Sequence, residues 1–166
     1  MVTKSTSLYR TKNDLSEPAR AQLVELLNAN LAAGIDLYLA TKHAHWNVKG
    51  PNFIALHELF DQVAAIVLTA VDDIAERAVQ LGGTAHGTIQ SAAKQTNLKA
   101  YPTGIVDGRD HVEALSSTLA AFGAQARAAI AQATDIGDAN TADLFTEVSR
   151  NVDKQLWFVE AHAQSK

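Results

Sequence analysis

The sequence predicts an all-α fold, a four-helix bundle with a short extra helix in its long crossover. Three observations carry this. Apolar residues recur three and four apart in four separate stretches, the period of a helix with one buried face. No stretch alternates apolar and polar residues as a half-buried strand would. The breaks between the stretches run short, long, short, which folds them as two hairpins joined by a crossover.

Residues 1–13 are polar and aperiodic, and are expected to form a flexible tail ahead of a single bundle domain over 14–166. Lys4, Arg10 and Lys12 precede the first acid, Asp14, so the tail is either a frayed end or a weak phosphate-contacting arm. Ser16, Glu17 and Pro18 open the first helix, which is expected to reach about His45. Its buried stripe is Leu23, Leu26, Leu27, Leu31, Ile35 and Tyr38. The short link Trp46 to Pro51 makes an antiparallel hairpin with the second helix. That helix starts after Asn52, a suitable N-cap, and meets no Gly or Pro before Gly82. Its core stripe is Leu56, Phe60, Val63, Val67, Val71, Ile74 and Ala78. Residues 84–106 form the crossover, with Ile89 to Gln95 as its short helix. The third helix is expected over about Asp107 to Ala133, and residues Ile136 to Asn140 form a loop. The fourth runs from about Thr141 to Ala163, with Phe145, Val148, Val152, Leu156 and Val159 inside. Two hairpins and one crossover are the order of a ferritin-like four-helix bundle.

Composition narrows the function. The chain has 166 residues, 47% of them apolar, enough for one real core. It has no cysteine, which excludes disulfides, cysteine–zinc sites and thiol catalysis. A net charge of −4 argues against a generally basic nucleic-acid binder. There is no unbroken run of about 18 apolar residues and no signal-peptide core. A soluble cytoplasmic chain with no membrane partner is expected.

The second helix carries the chemistry. About 100° round from its core stripe lies a face of His57, Asp61, Ala64, Ala65, Leu68, Asp72, Ala75 and Glu76. Ionisable groups sit at both ends and apolar residues between them. A solvent face would not have that middle, and a core face would not have those ends. His57 and Asp61 are four apart and share one spot, as do Asp72 and Glu76. The two pairs are roughly 16 Å apart along the axis. Ligands sit about 2 Å from a metal ion, so one ion cannot use both pairs on one straight helix. A second copy crossing antiparallel near Val67 would bring each pair opposite the other, giving two equivalent sites shared between subunits. Ala64 and Ala65 would allow close approach. Ordinary helix ion pairs are the alternative, and Asp73 with Arg77 fits that reading as a surface pair. No Lys or Arg lies on the His57–Glu76 face. The hairpin also brings His45 near His57, whereas His43, two residues from His45, points elsewhere and is read as a non-ligand.

The segments HWNVKGPNFIALHELFD and DDIAERAVQLGG strongly resemble the family called DNA-binding protein from starved cells (Dps), the mini-ferritins. The likeness extends through YPTGI and DKQLWFVEAH to nearly the whole chain. The Glu-x-x-His motif of ordinary ferritin-like di-iron sites is absent from this sequence. The resemblance implies a hollow homo-dodecamer that oxidises Fe(II), preferably with hydrogen peroxide, and stores ferric mineral, protecting DNA from oxidative damage. It implies ferroxidase sites at two-fold interfaces, with His45, His57 and Asp61 from one subunit and Asp72 and Glu76 from the other. Trp46 matches a residue beside the iron that absorbs stray oxidising equivalents, though packing alone would also keep a tryptophan there. Zinc would compete for the same imidazole and carboxylate ligands. Iron is implied to enter through acidic pores lined from the start of the last helix. There Asp143 is the better match, Asp138 the weaker, and Glu147 stands one turn on; each could instead be a helix-start carboxylate. DNA-condensing members carry longer lysine-rich tails, whereas this chain offers Lys4, Arg10 and Lys12, and only Lys166 at its end. Weak non-specific DNA contact, multiplied by twelve copies, would make a nucleoid-associated packing protein the other functional class.

Overall fold

The computed structural model describes residues 8–164. Its helices are α1 (Glu17–Asn47), α2 (Phe53–Gln80), α3 (Ile89–Gln95), α4 (Gly108–Ile136) and α5 (Ala139–Glu160). α1 packs along α2 and α4 along α5, and the two hairpins meet through α1 with α4 and α2 with α5. The all-α bundle and the short crossover helix stand as the sequence predicts. No strand occurs among the described residues. An isolated bridge pairs Lys49 with Asp107, and the Lys49 N–H donates to the Val106 carbonyl at 2.8 Å. This ties the end of the crossover to the α1–α2 link.

The helix ends follow local chemistry. The Ser16 hydroxyl accepts from the Ala19 N–H and caps α1. Asn52 occupies the N-cap position of α2 without a side-chain cap bond, so its carbonyl alone starts that helix, accepting from the Leu56 N–H. α4 runs on to Ile136 and stops at Gly137, whose φ of 92° suits a residue without Cβ. The expected five-residue loop shrinks to Gly137 and Asp138, because Asp138 caps α5 by accepting from the Asn140 N–H.

The core is one cluster. Leu23, Leu27 and Leu31 of α1 meet Phe60, Val63, Val67 and Ile74 of α2, Leu115, Leu119 and Phe122 of α4, and Phe145 and Val152 of α5. The predicted stripes are therefore the buried faces. Their flanking members Leu26, Ile35, Tyr38, Val71 and Leu156 are partly buried against the same cluster, as is Ile130 of α4. Ala64 belongs to this core too, so only Ala65 of the alanine pair remains on the outer face of α2. By length and composition α1 and α2 could each cross a membrane. In the bundle, 61% of the apolar window of α1 is buried but only 33% of that of α2. The single chain thus leaves much of α2 uncovered.

Residues 8–13 are not a free tail. The Tyr9 N–H donates to the Gly82 carbonyl at 2.7 Å, and Leu8 packs against the core. Gly82 has φ 87°, and a Cβ on it would lie 2.5 Å from the Tyr9 carbonyl oxygen, so the turn and the strap require each other. Arg20 holds the same turn by donating to the Leu81 carbonyl at 2.9 Å. Lys4 lies outside the described residues.

Arg77 departs from its expected place on the surface. It is not in a surface pair with Asp73 but buried, donating to both carboxylate oxygens of Asp138 at 2.8 and 3.0 Å and to the Thr141 hydroxyl at 3.0 Å. The Thr141 hydroxyl also donates to Asp138. Asp138 is 5% exposed, so it joins α2 to α5 inside the bundle and is not available as a pore carboxylate. Burial alone would raise the Asp138 carboxyl pKa. The bonds from Thr141 and Arg77, with the guanidinium charge, outweigh that and hold it below the ordinary value.

Asp138→Ala leaves a buried, unpaired guanidinium and is expected to cost about 3–5 kcal/mol, read as a lower denaturation midpoint. Because the folded pKa is depressed, the wild-type pair contributes in full above the unfolded carboxylate value of about 3.9. The contribution fades as pH falls through the lower folded value, so the deficit of the variant should shrink on acidification. A deficit constant from about pH 7 to about pH 2.5 would contradict the assigned linkage.

Candidate metal centre

The α1–α2 hairpin sets the last turn of α1 against the first turn of α2. There His45 and His57 stack, with ring centroids 3.8 Å apart and planes 22° apart. Each ring bonds to the backbone of the other residue. His45 Nδ1 lies 2.7 Å from the His57 carbonyl, and His57 Nδ1 lies 2.8 Å from the His45 carbonyl. A carbonyl can only accept, so both Nδ1 atoms carry the hydrogen, and in the neutral rings both Nε2 atoms keep a lone pair. A ring nitrogen donating to a carbonyl while the other is free is the arrangement that orients a metal-binding histidine.

Asp61 follows one turn after His57, and its Oδ1 lies 4.0 Å from His45 Nε2. The structure thus brings His45, His57 and Asp61 together. It also adds a residue the α2 pattern does not show. Lys42 of α1 reaches across, with Nζ 2.6 Å from Asp61 Oδ1 and 5.5 Å from the Trp46 ring centroid. The hydrogen bond from Lys42 is the largest reason the Asp61 carboxyl sits below its ordinary pKa; partial desolvation opposes it, and the charges of Lys42, His45 and His57 assist. The face of α2 itself carries no cation, but its neighbour supplies one. Lys42 is three residues before His45, and the hairpin, not the spacing along α2, determines that it meets Asp61.

Asp72 and Glu76 are exposed on α2 and lie about three to five turns further along the axis than His57 and Asp61. They do not join the first group within one chain. Among the described residues no three His, Asp or Glu side chains close on one point as a complete metal cage. Around the histidine end the surface is apolar, with Trp46 65% exposed and Phe53 and Ile54 also open to solvent; Leu68, 48% exposed, continues the apolar surface along the middle of α2. His43 turns away, edge-on to Tyr101 at 5.8 Å.

At the other end of α2 runs a groove of about 450 Å³ between α2 and α5. Asp73, Glu76, Asp143 and Glu147 line it. Asp143 is exposed there, in contrast to the buried Asp138. Arg10 and Lys12 are exposed on the strap that Gly82 anchors.

The ferritin-like domain family matches residues 24–165. The DNA protection during starvation protein of Agrobacterium fabrum is 49% identical over 158 residues, covering 95% of this chain and 98% of that protein. This chain belongs to the Dps family of ferritin-like proteins. The solved Dps of Mycobacterium smegmatis in its tetragonal form superposes with a TM-score of 0.90 at 32% identity, covering 95% of this chain and 96% of that one. DpsA14 from Streptomyces coelicolor superposes with a TM-score of 0.91 at 35% identity, covering 97% and 95%.

Replacing Lys42 by Met is expected to let the Asp61 carboxyl titrate nearer its ordinary value of about 3.9. Carboxyl-carbon NMR titration checks this. A titration unchanged by the substitution would show that the ammonium does not hold Asp61 in solution.

Proposed function

We propose that this Dps-family chain is a ferroxidase that oxidises Fe(II), preferably with hydrogen peroxide, and stores ferric mineral in a hollow dodecamer. His45, His57 and Asp61 of one subunit and Asp72 and Glu76 of its two-fold partner would form each site. The observation that carries the reading is the reciprocal His45–His57 lock. It holds two imidazole lone pairs and one carboxylate on a face of α2 that nothing in the same chain completes. Imidazole and carboxylate together suit iron, and would also admit zinc as a competitor.

The residues divide the work. The two carbonyl-locked imidazoles bind without reorienting, and Asp61 must exchange Lys42 for the incoming cation. Asp72 and Glu76 supply negative charge from across the interface. Placing two Fe(II) side by side lets peroxide accept both electrons at once: two Fe(II), one peroxide and two protons give two Fe(III) and two waters. That stoichiometry releases no hydroxyl radical, which is how the site would protect DNA. Trp46, beside the histidines, is suited to give up an electron to any stray oxidant. Contact with DNA through Lys4, Arg10 and Lys12 would be weak and salt-sensitive. The strap that holds residues 8–13 against the body supports this.

The acidic groove supports Asp143, with Glu147, as the approach for Fe(II) toward Glu76. Asp143→Asn is expected to slow iron uptake at low ionic strength and leave metal binding at the histidines intact. Stopped-flow uptake equal to wild type would remove Asp143 from the entry path.

Mixing tests the shared site. His57→Ala alone and Glu76→Ala alone should each be inactive. In co-assembled protein, half of randomly paired dimers are mixed, and one of their two sites receives both intact residues. About a quarter of all sites should therefore recover peroxide-dependent iron oxidation. If mass spectrometry finds mixed dimers and activity stays at the level of the parents, the ligands do not come from two chains.

A further inference from the structure

An aromatic cluster under the crossover is not used by the iron chemistry. Tyr101, just before Pro102, lies against the first turn of α4, with its hydroxyl 2.9 Å from His111 Nδ1. The two ring planes are within 16° of each other, and His111 is fully buried. A phenol is more acidic than a neutral imidazole N–H, so the Tyr101 O–H donates and the Nδ1 lone pair of His111 accepts. Among the described residues Tyr101 is the tyrosine with a base on its hydroxyl. Burial pushes the Tyr101 pKa well above its ordinary value, which closes simple ionisation to water as a route. Burial and then His43 lower the pKa of His111, opposed by the Ile105 carbonyl and the carboxylates of Asp110 and Asp107. The imidazole therefore waits neutral, with its lone pair on the phenolic proton.

We propose that Tyr101 and His111 form a one-electron redox site, in which Tyr101 is oxidised while its proton passes to His111. The oxidant is a strong one-electron acceptor of the kind iron and peroxide generate, or the indole radical cation of Trp46. It takes one electron from the phenol ring. The O–H bond breaks, and the His111 Nδ1 lone pair forms a new N–H bond. The products are a neutral phenoxyl radical hydrogen-bonded to an imidazolium, and an oxidant reduced by one electron. Return needs one electron from an external thiolate, and the proton then goes back to the oxygen. A surface groove of about 630 Å³, lined by Tyr101, Pro102 and Ile105, opens Tyr101 to such a small reductant.

The path toward the metal centre is short. His43 stands edge-on to Tyr101 at 5.8 Å, and Trp46 follows His43 by three residues, one turn along the same helix face. His43 is thus the ring that lies between the Trp46 turn of α1 and Tyr101. This link rests on the proposed place of Trp46 beside the ferroxidase site; the redox pair itself does not.

Flash photolysis of tris(bipyridine)ruthenium with a sacrificial acceptor oxidises the intact assembly without iron. Electron paramagnetic resonance should show a phenoxyl radical that Tyr101→Phe removes and Tyr9→Phe and Tyr38→Phe leave. His111→Gln keeps a hydrogen-bond acceptor but cannot take a proton, so radical formation should slow by about a hundredfold. Wild type should slow in deuterated water and His111→Gln should not. Circular dichroism and assembly size confirm folding. If His111→Gln misfolds, Tyr101→Phe and the deuterium effect on wild type decide. A radical signal that survives Tyr101→Phe, or a wild-type rate indifferent to deuterium, overturns the proposal. A second arm adds Fe(II) and peroxide. Loss of the Tyr101 radical in Trp46→Phe supports the link, and a flash-generated radical that iron and peroxide never produce ends the link while the redox pair stands.

Discussion

Two hydrogen bonds between neighbouring helix ends fix the geometry of the candidate metal centre, around which the α1–α2 hairpin is arranged. Each of His45 and His57 donates its Nδ1 hydrogen to the carbonyl of the other, at 2.7 and 2.8 Å. The last turn of α1 has carbonyls with no helical partner, so one of these bonds also satisfies a backbone acceptor. The cost of orienting two imidazoles is met during folding instead of at binding. Their stacking at 3.8 Å fixes the two rings relative to one another as well as to the backbone.

The same hairpin explains why the chain is incomplete alone. α2 uses one face for the core and leaves Asp61, Ala65, Leu68, Asp72 and Glu76 outside. Trp46, Phe53, Ile54 and Leu68 add apolar surface to that side. A monomer gains nothing by exposing them. An antiparallel copy of α2 would cover the apolar middle and bring opposite ends together, so burial and ligand assembly would be one event. In that arrangement Lys42 has a second use. Its ammonium neutralises Asp61 while no cation is present, and its tether to the Trp46 ring keeps it close when displaced.

What the sequence made legible follows the range of the physics. The core stripes and the His57–Asp61 and Asp72–Glu76 pairs are set by a 3.6-residue period, a purely local property. Lys42 escapes that reading, since its meeting with Asp61 depends on how α1 is rotated against α2. Arg77 misleads it, because Asp73 is the partner four residues away that spacing offers, whereas Asp138, 61 positions off in sequence, bonds it in the structure. Burial decides between them, since a desolvated guanidinium needs a fixed carboxylate with two acceptors. Residues 8–13 look like tail by composition. The strap is made by one backbone bond to Gly82 and by Leu8, neither of which has a sequence pattern of its own.

The Arg77–Asp138 pair also bears on the field at the far end of α2. Arg77 borders the groove that Asp73, Glu76, Asp143 and Glu147 line. An unpaired guanidinium there would cancel about one of the four carboxylates and repel Fe(II). Asp138 meets it bidentately inside the bundle, so the cation is neutralised by a carboxylate that is itself out of the groove. The four remaining acids then act with little opposition from within the chain, and a low-dielectric wall behind them focuses their field outward. A buried ion pair is weak as a source of stability when compared with apolar packing. Its value here is electrostatic: it lets an arginine join α2 to α5 without dimming the negative potential that would draw a divalent cation from Asp143 toward Glu76.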